Sequence, residues 1–91
     1  MNKLDEILLK HEIYPDYLGY EYIKYIVQDN IDIGIGQIRI SPLYQFAAIR
    51  FDTSPASIER NIRSVLNKSQ FKGLTNKRAL AILQLEYRGE N

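Results

Sequence analysis

Read for its alternation of apolar and polar positions, the chain predicts a succession of short helices. Leu4, Ile7, Leu8 and His11 keep a helical spacing, with Asn2 available as a cap and Asp5 and Glu6 in the first turn, where the helix dipole favours negative charge. Tyr14-Pro15-Asp16 ends that helix, because a proline pushes the residue before it out of the helical region. Leu18, Tyr22, Tyr25, Ile26 and Asp29 then mark a second helix ending near Asp29-Asn30. From Ile31 to Ile40 the isoleucines alternate with small or polar residues, as in a short strand, yet Gly34 and Gly36 argue for an ordered loop. The expectation is a connector that tucks its isoleucines under the second helix.

Two segments open alike, with serine before proline. Ser41-Pro42 leads Leu43, Phe46, Ala47, Ile49 and Arg50 as a short helix, and Ser54-Pro55 leads the apolar stripe Ile58, Ile62, Val65 and Leu66. A serine can cap the free amides of a first turn, and proline at the first helical position loses no bond by lacking its donor. Phe51-Asp52-Thr53 forms the turn between them, which carries no glycine. Two such helices so closely joined, with small Ala47-Ala48 where a partner helix must approach, predict a helix-turn-helix. After Gln70-Phe71-Lys72-Gly73, Thr75 caps a last helix on which Leu80, Leu83 and Tyr87 recur.

The face of the Ser54–Lys68 segment opposite its stripe is made for hydrogen bonding. It carries Ser57, Arg60, Ser64 and Asn67, with Glu59 and Arg63 on the flank, a set that can meet phosphates or base edges. An ordinary surface helix with a solvated face is the plainer alternative.

Charge changes that balance. The net charge of +1 hides a −3 over residues 1–49 and a +5 over residues 50–80, where Arg50, Arg60, Arg63, Lys68, Lys72, Lys77 and Arg78 stand against Asp52 and Glu59. A protein that neutralises phosphates needs a local basic surface, so this asymmetry favours nucleic acid as the partner. Lys77 and Arg78 fall in the first turn of the last helix, where they oppose its dipole and invite an external anion.

Composition adds mainly exclusions. At 91 residues, 45% hydrophobic and 25% charged, the chain reads as one soluble globular domain spanning residues 1–91. It has no cysteine, which rules out disulfides and thiolate metal sites and fits a reducing cytoplasm. Met1 to Glu12 alternates charged and apolar residues, unlike a signal peptide, and no stretch approaches the ~20 apolar residues of a membrane span. His11 is the only histidine, and a packed structural role fits it better than metal binding. The tyrosines between Tyr14 and Tyr25 share faces with Leu18, Ile23 and Ile26, so core and boundary packing suits them better than base stacking. Gly34-x-Gly36 lacks the strand-turn-helix context of a phosphate loop. With no paired carboxylates on a shared helix face either, catalysis and cofactors are not expected.

Several runs carry a family resemblance. Leu8-Leu9-Lys10-His11-Glu12-Ile13, then Pro15 and Gly19-Tyr20-x-Tyr22, then Leu43-Tyr44, Ala47 and Phe51, then Ile58-Glu59-Arg60-x-Ile62-Arg63, and finally Thr75-Asn76 together resemble the C-terminal effector domain of the stage-zero sporulation protein A family. The resemblance covers nearly the whole chain in the same order. It implies an all-α domain of about five helices, built around a helix-turn-helix whose second helix enters the major groove of a short regulatory box. Carried over by position, Glu59, Arg60 and Arg63 become the main groove-facing residues. Arginine can bind guanine O6 and N7 together and glutamate can accept from a cytosine amino group, so their chemistry suits that role. Where the family commonly has a basic residue and a histidine, this chain has Ser57 and Ser64, so a different base preference is implied. The family's receiver domain does not precede this sequence, and Lys68 to Thr75 is shorter than the family's connection, which holds a further helix used in self-association.

The sequence therefore predicts a DNA-binding transcriptional regulator with double-stranded DNA as its partner, itself or a larger regulator as further candidates, and no membrane. Ser54 and Ser57 are expected to anchor phosphates, Glu59, Arg60, Arg63 and Ser64 to read bases, and Lys68, Lys72, Lys77 and Arg78 to hold the backbone. The competing reading is a protein-interaction module that kept the fold and lost DNA binding, with its acidic, tyrosine-rich first half as the contact surface.

Overall fold

The computed structural model describes residues 2–30 and 32–89. Among these residues five α-helices follow one another, α1 Lys3–Lys10, α2 Leu18–Asp29, α3 Ser41–Arg50, α4 Pro55–Leu66 and α5 Asn76–Arg88, with one 3₁₀ turn at Ile35–Gln37. No strand occurs among the described residues.

Helix starts follow local chemistry at three of the five. The Asn2 side chain accepts from the Asp5 amide, Ser54 from Ser57 and Thr75 from Arg78, each satisfying a first-turn donor that has no partner inside the helix. At α3 the expectation fails. Ile40 is the capping residue, Ser41 lies inside the first turn, and no side chain caps the helix. The Ile40 carbonyl instead takes the amides of both Leu43 and Tyr44, so the helix grows from the preceding turn.

Helix ends explain the two non-glycine residues with positive φ. Glu12 (φ 66°) follows α1, with its own amide bonded to the Leu9 carbonyl and that of Ile13 to Leu8. Asp52 (φ 54°) follows α3 in the same way, with its amide on Ile49 and that of Thr53 on Ala48. Both are Schellman motifs with an acidic residue in the left-handed position that glycine usually fills. The glycine missing from the helix-helix turn is thus replaced by Asp52.

The core gathers Leu4, Ile7 and Leu8 of α1, Tyr20, Ile23, Ile26 and Val27 of α2, Ile58, Ile62, Val65 and Leu66 of α4, and Ala79, Leu80 and Leu83 of α5. Each large aliphatic side chain so buried contributes roughly 2 kcal/mol. The buried side of α3 is Leu43, Tyr44, Ala47 and Ala48. Phe46 and Ile49 of α3 are 59% and 79% exposed, and Leu18 of α2 is 58% exposed. In α3 the inward arc is already filled by those four residues, and Phe46 and Ile49 fall on the opposite arc.

The connector before α3 is held from afar. Ile35 is fully buried against α5, and Gln84 of that helix, 1% exposed, organises the backbone around it. Its Oε1 accepts from the Ile35 amide at 2.9 Å, while its Nε2 donates to the carbonyls of Asn30 and Ile33 at 2.5 and 2.6 Å. The isoleucine expected under α2 therefore packs chiefly on α5, and Ile33 is exposed. Ile31 lies outside the described residues.

Candidate nucleic-acid interface

Helix α4 is fixed by its backbone on one flank. A Cβ added to Gly19 of α2 would stand 2.5 Å from the Asn61 carbonyl oxygen and 2.7 Å from Cγ2 of Val65. Only glycine permits this approach. On the other side, α3 packs against α4, with small Ala47 and Ala48 buried in α3. Phe51, at the turn between them, packs against Tyr22 and Tyr25 of α2 with ring centroids 4.9 and 5.6 Å apart.

With Ile58, Ile62, Val65 and Leu66 inward, the outward stripe of α4 is Ala56, Arg60, Arg63, Ser64 and Asn67, all exposed. Arg60 stands in its centre and has no hydrogen bond or ion pair with another described residue. Arg63 is held by Glu59 one turn earlier, through Nη1 to Oε1 at 2.6 Å and to Oε2. Ser57 differs from its expected position. It is half-buried, and its hydroxyl oxygen and carbonyl take the Asn61 side-chain amide at 3.2 and 2.8 Å.

The basic residues divide between two flanks of this stripe. Lys77 lines a groove of about 530 Å³ together with Tyr44, Glu59, Arg63, Asn67 and Gly73, so it shares a surface with the outward side of α4. Arg78 borders the next hollow along α5 with Lys77, Ala81 and Leu85. Lys68 points the other way, its Nζ 4.6 Å from the ring centroid of Tyr17, just ahead of α2. Lys72 is exposed in the loop beside Gly73, its amide bonded to the Ser69 carbonyl.

Asn67, placed on the hydrogen-bonding face by its spacing, prolongs the outward stripe one turn beyond Arg63. One residue absent from the sequence-based set also takes part in this geometry. Asn76, first residue of α5, donates from Nδ2 to the Tyr44 hydroxyl and to the Glu59 carbonyl, both at 3.1 Å. Nothing local in the sequence signals that bridge. Burial raises the Tyr44 pKa, so its hydroxyl stays protonated at neutral pH.

His11 is engaged structurally. Its Nε2 lies 2.6 Å from Glu86 Oε1 and its ring packs on Phe71 at 4.6 Å, while Lys10 reaches Glu86 Oε2 at 2.7 Å. No group of three potential metal ligands occurs among the described residues, and no helix there is long and apolar enough to cross a membrane.

An all-helical domain whose two central helices are joined by a short turn, and whose second helix exposes Arg60, Arg63, Ser64 and Asn67, has the architecture of a helix-turn-helix domain. The chain belongs to the sporulation initiation factor Spo0A C-terminal family, whose family model matches residues 4–87. That family comprises the DNA-binding effector domain of a sporulation regulator. No curated protein and no solved structure matches the chain.

Proposed function

We propose that this chain binds duplex DNA sequence-specifically as one unit, inserting α4 into the major groove, and so regulates transcription from the cytoplasm. The observation that carries the proposal is the stripe Arg60, Ser64 and Asn67, solvent-facing on a helix whose opposite face is wholly buried. A rigidly seated helix with exposed donors and acceptors suits base-edge recognition. Arg60 and Arg63 suit guanine, Glu59 suits a cytosine amino group, and Ser64 can serve either base. Lys77 and Arg78 on one flank and Lys68 on the other, with Lys72 in the loop after α4, would hold the phosphate backbones. Ser54 and Ser57 would donate their hydroxyl hydrogens to a phosphate at the α4 N-terminus.

The test is selection of bound duplexes from a random pool by the full chain, followed by affinity measurement on the enriched sequence. A short enriched box is expected, and Arg60→Ala should cost about 1–3 kcal/mol on it while relaxing preference at one base pair. An unenriched pool would overturn the proposal.

A further inference from the structure

We infer that the Asn76 carboxamide is a positioning residue that sets the basic start of α5, Lys77 above all, against the base-reading turn of α4. The inference rests on the DNA-binding reading. Asn76 reaches both members of the helix-turn-helix from a third helix: Nδ2 donates one hydrogen to the Tyr44 hydroxyl of α3 and the other to the Glu59 carbonyl of α4. That carbonyl belongs to the turn from which Arg60 and Arg63 project. Lys77 is the next residue in the chain and lines the same groove as Glu59, Arg63 and Asn67.

The start of α5 is consequently pinned twice. Thr75 Oγ1 takes the Arg78 amide at 3.1 Å and fixes the shape of the first turn, whereas Asn76 fixes where that turn sits. A lysine ammonium meets a phosphate as a point charge on a stem of limited reach, so its backbone must lie within that reach of the phosphate. A duplex held at once by the α4 stripe and by Lys77 needs those two groups at a set separation, and a single carboxamide bridges them. Loss of the bridge would leave each half able to bind but no longer in register with the other.

A double-mutant cycle tests this, with two probes: a duplex enriched in the selection above and a random-sequence duplex of the same length. In the unchanged chain Lys77→Ala should weaken binding to the enriched duplex roughly fivefold at low salt, the scale of one lost phosphate contact. In an Asn76→Ala background the same change should cost less than about twofold, because Lys77 is no longer held in place. Thermal unfolding of each variant establishes that it is folded at the assay temperature. Tyr44→Phe, which keeps the ring and removes one acceptor, supplies a milder second variant that should reduce the Lys77 effect in part. Equal losses from Lys77→Ala in all three backgrounds would overturn the inference while leaving DNA binding intact. If the unchanged chain binds neither duplex, the proposed function and this inference fall together.

Discussion

Glu59 and Arg63 lie one turn apart on α4 and are already bonded to each other, Arg63 Nη1 donating to both Glu59 carboxylate oxygens. Arg63 therefore does not extend as a free cation toward its partner. To bind a guanine edge it must share or exchange that carboxylate. Glu59→Gln should consequently raise affinity for random duplexes and lower discrimination of the enriched box, by about 1–3 kcal/mol at the base pair concerned. Parallel titrations on the two duplexes check this, and a uniform gain on both would sink it.

Gly19 sets two effects against each other. Alanine is the better helix former by about 1 kcal/mol, but its Cβ would enter the space of the Asn61 carbonyl and the Val65 methyl. Neither a backbone carbonyl nor a fully packed helix can yield easily, so overpacking should win. Gly19→Ala should lower stability by about 1–3 kcal/mol in chemical denaturation.

The turn before α4 gives a comparison between two substitutions. Asp52 holds a left-handed conformation that costs a residue with a Cβ roughly 1 kcal/mol, although aspartate tolerates it better than most. Asp52→Gly removes the steric cost but loosens the unfolded chain, so it should change stability little. Asp52→Ala keeps the strain without aspartate's tolerance and should be the less stable of the two by about 1 kcal/mol. Thermal denaturation of the pair decides, and equal midpoints would count against a strained turn.

Gln84 occupies an interior position where leucine would fit by size. Gln84→Leu would leave the Ile35 amide and the Asn30 and Ile33 carbonyls without their partner, and should cost about 2–4 kcal/mol despite the gain in apolarity. Faster amide exchange confined first to residues 32–38 would mark the connector as the part released.

Glu86 links stability to acidity. Burial would raise its pKa, but the hydrogen bonds from Lys10 and His11 outweigh burial and hold the carboxyl below its usual value. A carboxylate whose pKa is lowered on folding stabilises the fold above its unfolded value, and that contribution disappears as pH falls through the folded one. Glu86→Gln should accordingly be destabilising at neutral pH, with the gap to the unchanged chain closing below the ordinary carboxylate range. Unfolding curves collected across that acid window provide the measurement.

Some of this was legible from the sequence and some was not, for reasons that differ by residue. The Asn2, Ser54 and Thr75 caps were readable because a cap acts within three residues of itself. Ser41 carries the same signal and does not cap, since the start of α3 is decided by the turn through Ile40. Phe46 and Ile49 satisfy the apolar spacing of α3 yet lie outside, because spacing cannot tell which of two apolar arcs meets a neighbour. The connector was ambiguous for another reason: its anchor, Gln84, lies about fifty residues away. The outward stripe of α4 followed from periodicity, whereas the Asn76 bridge depends on three helices meeting and left no mark in any one of them.

The contact of Gly19 with the Asn61 carbonyl bears on how such a protein could change its target. Where α2 grips α4 most closely, it touches main chain, and Arg60, Ser64 and Asn67 contribute nothing to the grip. Replacing those three residues therefore leaves the seat of the helix untouched, so the outer face of α4 can be rewritten without rebuilding the scaffold that carries it.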